Sequence, residues 1–230
     1  MSLKEEIKTS ALNLGADLVG VASVERFDGA PSGFHPTDIM PETKSVVVIA
    51  KKISDQLVSG NLGTAYTNTF QAILRRLDYI ASDVAVFVEK LGGKAIPIPA
   101  DDPYNYWDEE NHRGMGDLSH KHAAQAAGLG ILGKNSLLIT PQYGNRVHLV
   151  SVLTDLDLES DPLIQKELCP QSCRLCLDAC PASAIKEEQK VIQKLCRSIV
   201  GKTLPKGYWV YACWECRRVC PVGKNRQQTI

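Results

Sequence analysis

Eight cysteines carry the reactive chemistry of this 230-residue chain, and all lie in its last third. Cys169, Cys173, Cys176 and Cys180 fall in CPQSCRLCLDACP, a C-x3-C-x2-C-x3-C-P run. Cys196 stands alone, and Cys213, Cys216 and Cys220 follow in CWECRRVCP. Thiolates spaced this closely on a tight loop reach separate irons of one 4Fe–4S cubane, while the next one along points away from that loop. Structural zinc would also use cysteines, but as separated C-x2-C knuckles without the trailing C-P seen in both runs. Disulfides need an oxidising compartment, and the opening MSLKEEIKTS has no apolar signal core.

Both runs resemble the closing phrase of bacterial two-cluster ferredoxins, whose last cysteine ligates the neighbouring cluster. That crossing rule groups Cys169, Cys173 and Cys176 with Cys220, and Cys196, Cys213 and Cys216 with Cys180. Two cubanes need as many thiolates as the chain supplies, and none is spare. The x3 gap after Cys169, where the ferredoxin pattern has x2, is a departure.

Composition narrows the partners. Lys+Arg and Asp+Glu balance at 26 each, so no overall field favours nucleic acid or an anionic membrane. Hydrophobic residues make up 44%, enough for a packed core, yet no apolar run approaches membrane-spanning length. The expected setting is a reducing cytoplasm.

The elements that must position the cysteines read as a layered body. Ser2 and Glu5 suggest a capping box opening a helix with Ile7 and Ala11 on one face, closed by Gly15. Short strands are predicted at Asp17–Val21 and Val46–Ile49, separated by a Gly/Pro-rich loop from Arg26 to Pro41. The longest helix is predicted from about Asn68 to Leu91, stopped by Gly92-Gly93. A strand at Ala95–Ile98 leads into a loop over 99–117, then a helix around Ser119–Ala127 and strands at Ser136–Thr140 and Val147–Thr154. Helices interspersed with strands predict an α/β (α+β) domain over 1–160, with a cysteine module over 161–230.

Gly128 to Lys134 fits the spacing G-x-x-x-x-G-K of a phosphate loop. The order of elements argues against that reading. A phosphate loop follows a strand and opens a helix, whereas here the helix comes first. Asn135 also replaces the magnesium-binding Ser or Thr. A glycine-rich helix end is the plainer alternative.

HKHAAQAAGLGILGKNSLLITPQYGNRVHLVSVLTDLDL, followed by CRLCLDACP and CWECRRVCP, resembles the epoxyqueuosine reductase family, which is related to the reductive dehalogenases. ADLVGVASV and MPETKSVVVIA share in the resemblance. It implies a cobalamin-binding domain resembling a nitroreductase-like fold, and a ferredoxin-like module with two 4Fe–4S clusters. The clusters would pass single electrons from an external low-potential donor to base-off cobalamin and a small-molecule substrate. Gly128, Leu129, Gly130, Gly133 and Lys134 are then candidate corrin-lining residues, because glycine lets backbone approach a flat macrocycle. The alternative is a non-catalytic electron-transfer protein that reduces a partner's corrinoid.

Two departures from that family bear on chemistry. The family carries an acid upstream of AGLG, and counting places Gly114 there in RGMGDLSHKH. Asp117, Tyr104 and Tyr106 are the candidate proton donors, with a helix cap (Asp117) and packing of a lid loop (the tyrosines) as their structural readings. His120 and His122 sit two apart and cannot share a helical face, so they are not expected to hold a metal together. The chain also ends ten residues after Cys220, and Arg217, Arg218, Lys224 and Arg226 are few for a nucleic-acid surface, so recognition of tRNA is doubtful on sequence grounds.

Overall fold

Ser2 opens α1 (Leu3–Asn13) as expected, its hydroxyl accepting from the Glu5 N–H at 3.3 Å. The computed structural model describes residues 1–187 and 190–223. After α1 come β1 (Leu18–Ser23), β2 (Ser45–Lys52), the long α2 (Gly63–Lys90) and β3 (Ala95–Ile98). A hairpin of β4 (Tyr106–Asp108) and β5 (Arg113–Met115) follows, then α3 (His120–Ala126). The short β6 (Ile131–Leu132) and β7 (Leu138–Ile139) pair with each other, and β8 (Val147–Thr154) completes the body.

Four strands form one sheet in the order β1-β2-β8-β3, and every pairing in it is antiparallel. The body is therefore a mixed α/β fold of the α+β kind. β2 and β8 are its central strands, with Val46, Val47, Val48, Ile49 and Ala50 all 0% exposed. Side chains of a strand alternate between faces. Val47 and Ile49 pack with Ile7 of α1 and Leu77, Ile80 and Val84 of α2. Val46 and Val48 pack instead with Ala123 and Ala124 of α3. Helices on both faces explain why SVVVIA is an unbroken apolar run rather than an alternating one, and each fully buried Val or Ile contributes about 1.5–3 kcal/mol.

α2 begins five residues before the predicted Asn68, because Tyr66 and Thr67 extend its buried stripe toward the C-terminal module. Gly92, at φ +86°, ends it as expected. Residues 99–117, expected as an open loop, contain the β4–β5 hairpin. Its strands are short and hold no buried residue, so no buried periodicity marked them.

Beyond residue 160 the chain adds α4 (Leu175–Asp178), α5 (Gln193–Val200), the hairpin β9 (Gly201–Thr203) and β10 (Trp209–Tyr211), and α6 (Glu215–Arg218). This part is anchored in the core of the body. The Trp214 indole stacks on Tyr66 of α2, with ring centroids 4.3 Å apart and planes 6° from parallel. Its Nε1–H donates to the Val58 carbonyl at 3.0 Å, and Tyr211 N–H donates to Thr67 Oγ1 at 2.8 Å. Among the described residues no helix is long and apolar enough to cross a membrane.

Candidate redox site

The fold brings cysteines of the two runs near one another. Burial raises the Cys176 thiol, and the neighbouring Cys169, Cys173 and Cys220 push it further in the same direction. Burial likewise raises Cys196, with Cys213 and Cys180 adding to it. Cys216 is pushed up to about 12 by burial, against the opposing charge of Arg217, with Cys196 and Cys213 raising it and Cys176 adding last. Cys180 of the first run thus acts on Cys196 of the second, and Cys220 of the second acts on Cys176 of the first.

Geometry gives the same grouping. Cys180, Cys196, Cys213 and Cys216 line a single cavity of about 290 Å³, bordered by Lys121 and Ser136 of the body. The Cys180 sulfur accepts from Ala184 N–H at 3.3 Å. Cys220 is buried, and Cys169 packs beside it against Ile139, Leu168 and Val222. The x3 gap therefore does not keep Cys169 away from Cys220. Among the described residues no three His, Cys, Asp or Glu side chains converge on one point closely enough for a single metal ion.

A larger cavity of about 920 Å³ adjoins the smaller one, and Cys196, Val191 and Gln193 line both. Tyr104 faces this chamber and donates its hydroxyl to Asp101 Oδ1 at 2.9 Å. Burial, and then the Asp101 charge, push the phenol up to about 12. Burial also raises the Asp101 carboxyl, although the Tyr104 hydroxyl bond opposes it. Arg197, next in sequence to Cys196, spreads its guanidinium over the rings of Trp107 and Tyr104, 5.0 and 5.9 Å from their centroids. Gln193 bonds both backbone groups of Gly114, accepting from its N–H at 3.2 Å and donating to its carbonyl at 3.4 Å.

The other candidate residues are placed differently. Tyr106 is 43% exposed, lies edge-on to Phe34, and does not line the chamber. Asp117 accepts from the Asn105 side chain and also stands outside the chamber lining. His120 and His122 have separate partners: the His120 ring meets Ser151 Oγ and the Pro99 carbonyl, while His122 meets Ser119 Oγ.

The segment from Gly128 to Lys134 faces the protein itself. The space that a side chain on Gly128 would take is filled by the Pro162 carbonyl, and on Gly130 and Gly133 by Ile139. Leu129 is buried against Gly20. Lys134 Nζ donates to the carbonyls of Gln171 and Cys173, 2.9 Å from the latter. The glycines thus permit close packing between α3, β7 and the following chain. The helix-first order that argued against a phosphate loop is observed.

Sequence reasoning passed over Asp101, Gln193 and Arg197. The one signal for Arg197 was its place beside Cys196. Of the four basic residues weighed for nucleic acid, Arg217 donates to the Asn145 and Val147 carbonyls and Arg218 pairs with Glu215 at 2.6 Å. Lys224 and Arg226 lie outside the described residues.

No family model matches the chain. It is 28% identical over 257 residues to the epoxyqueuosine reductase of Bacillus subtilis (strain 168), covering 97% of this chain and 64% of that protein. It is 30% identical over 229 residues to a tetrachloroethene reductive dehalogenase of Desulfitobacterium hafniense, covering 91% of this chain and 37% of that one. The chain thus spans under two thirds of the first relative and just over a third of the second. Solved structures with the same fold include these two. One is an epoxyqueuosine reductase with an epoxyqueuosine-modified tRNA-Tyr stem loop, at TM-score 0.64 and 24% identity, covering 96% of this chain and 65% of that one. The other is a reductive dehalogenase described as suggesting a mechanism for B12-dependent dehalogenation, at TM-score 0.72 and 23% identity, covering 96% and 32%.

Proposed function

We propose that this chain, a relative of the epoxyqueuosine reductases and the reductive dehalogenases, is an iron–sulfur reductase that delivers single electrons to the chamber beside Cys196. The observation that carries the reading is the cavity lined by Cys180, Cys196, Cys213 and Cys216, four thiols drawn from both runs. That donor set suits a 4Fe–4S cubane, in which each thiolate binds a different iron and the four need not converge on one point. Cys169, Cys173, Cys176 and Cys220 form the matching second set. Two such clusters supply low-potential one-electron transfer. The cysteine module over 161–230 would then be the electron-carrying part and residues 1–160, read as nitroreductase-like, the gripping part.

The chain's own residues prepare the chamber for a proton-coupled reduction. Cys196 borders both cavities, so electrons held at its cluster stand next to whatever the chamber binds. Tyr104 lines the chamber and keeps its proton across the neutral range, so a phenol proton is in place for a substrate that becomes strongly basic as it is reduced. Asp101 orients that hydroxyl. Arg197 fixes the Tyr104 ring from the module side.

A corrinoid, which the description of one solved relative names for that protein, fits this chamber better than the Gly128–Lys134 segment, whose glycines are filled by protein atoms. Tyr104, Arg197, Trp209 and Tyr211 would wall it there. Bound in that place, a reduced cobalt supplies a strong nucleophile and reductant. The substrate is a small molecule or a small group carried on a larger one. The sequence-based doubt about tRNA gains no support from the relatives, because one of them holds a tRNA stem loop.

Anaerobic purification with iron, sulfide, zinc and cobalt analysis tests the reading. Iron and sulfide at about eight each per chain are expected from two cubanes. Zinc in their place would overturn it. Added cobalamin should give a base-off cobalt(II) spin-resonance spectrum, and its absence at saturation would leave an electron carrier without a corrin.

A further inference from the structure

Lys134 and Asn135 are neighbours in sequence, yet they hold different cysteine loops. Lys134 Nζ donates to the Gln171 and Cys173 carbonyls, within the loop of the first run. Asn135 Nδ2 donates to the Cys216 carbonyl at 3.1 Å, an oxygen that also accepts from Asn145 Nδ2 at 3.1 Å. Asn135 is buried, and its Oδ1 accepts from Leu137 N–H at 3.2 Å, so the amide is fixed end for end. The pair sits on the link between β6 and β7, which is part of the body rather than of the cysteine module. One turn of chain therefore reaches both proposed clusters, with a charged group on one and a neutral group on the other.

That asymmetry has an electrostatic consequence. Both clusters would have the same four-cysteine ligation, so differences between them must come from their surroundings. Reduction adds a negative charge to a cluster, and a fixed cation nearby stabilises the reduced form and raises its potential. The effect weakens with distance, so it falls mainly on the loop that the ammonium touches. Resting on the two-cluster reading, we propose that Lys134 is a positioning residue that raises the reduction potential of the cluster on Cys169, Cys173, Cys176 and Cys220, and of that cluster alone.

The test is a potentiometric titration followed by spin resonance on the iron-loaded wild type, Lys134→Gln and Lys134→Arg. Cys196→Ser, which removes a ligand of the other cluster, identifies the signals. Lys134→Gln should lower one midpoint potential and leave the second in place, and Lys134→Arg should restore the first. The signal that moves should be the one surviving in Cys196→Ser. Equal movement of both signals, movement of neither, or the same shift in Lys134→Arg as in Lys134→Gln would overturn the proposal. Loss of the first cluster from Lys134→Gln would make the residue structural and overturn it as well. A wild type that binds no iron would sink the two-cluster reading itself, whereas an iron-replete one whose potentials ignore Lys134 would sink only this inference.

Discussion

The Tyr104 ring occupies the space that a side chain on Gly114 would need: a Cβ added there would stand 2.8 Å from Tyr104 Cδ2 and 3.3 Å from Arg197 Nη2. Gly114 is the position where counting along the family pattern places an acid. The glycine and the tyrosine are thus one arrangement, in which the lack of a side chain at Gly114 of β5 makes room for a phenol from the segment before β4.

Replacing Tyr104 by Phe should remove the proposed proton donor while leaving the ring on Gly114. Once a substrate is in hand, turnover should fall by about 10²–10⁴-fold, the usual span for a general acid. Iron content should stay at the wild-type level. Unchanged turnover would remove Tyr104 from the reaction, and Tyr106→Phe, outside the chamber, is the control expected to be neutral.

Gly114→Asp tests the same pair from the other side. The carboxylate would have to displace the Tyr104 ring, so turnover should fall even though an acid has been supplied. Activity equal to or above wild type would show that the acid alone suffices.

Tyr104 also predicts a pH dependence of stability. Its phenol is raised from 10.0 to about 12 in the folded chain, chiefly by burial. The folded state then binds the proton more tightly than the unfolded state. The contribution is fully present below about pH 10 and is lost as pH rises from about 10 toward 12. Urea denaturation of anaerobically prepared protein should therefore show wild type losing more stability across that window than Tyr104→Phe. Parallel losses in the two proteins would contradict it.

The crossed grouping makes its own prediction. Cys180→Ala lies in the first run, yet it should remove the same cluster signal as Cys196→Ala and spare the one that Cys176→Ala removes. If Cys180→Ala instead matched Cys176→Ala, each run would hold its own cluster.

Trp214 joins the module to the body, and Trp214→Ala should destabilise the protein by about 3–5 kcal/mol, the cost of emptying a buried aromatic site. The loss should be read in anaerobic denaturation. A change under about 1 kcal/mol would mean that the stack on Tyr66 contributes little beyond what its neighbours replace.

How much of this was legible in the sequence depends on the range of the interactions. The cysteine spacings, the apolar run Val46–Ala50 and the helical stripe ending at Gly92 are local patterns, and chain geometry alone turns them into a loop of closely spaced thiols, a doubly covered strand and a helix. That Cys180 would stand near Cys196, Cys213 and Cys216 followed from the resemblance to two-cluster ferredoxins rather than from any periodicity.

The destination of the Gly128–Lys134 segment could not be read in the same way. Its glycines announce a close approach but not to what, and only the packed chain shows Pro162, Ile139 and the Cys173 loop taking that place. The contacts of Gly114 with Gln193, 79 residues away, and of Asn135 with Cys216, 81 residues away, leave no periodicity in the sequence. The sequence by itself determined which thiols are spaced closely enough to act as a group. The tertiary structure decided which of them meet and what faces the chamber, since contacts between distant segments are selected by how whole layers pack.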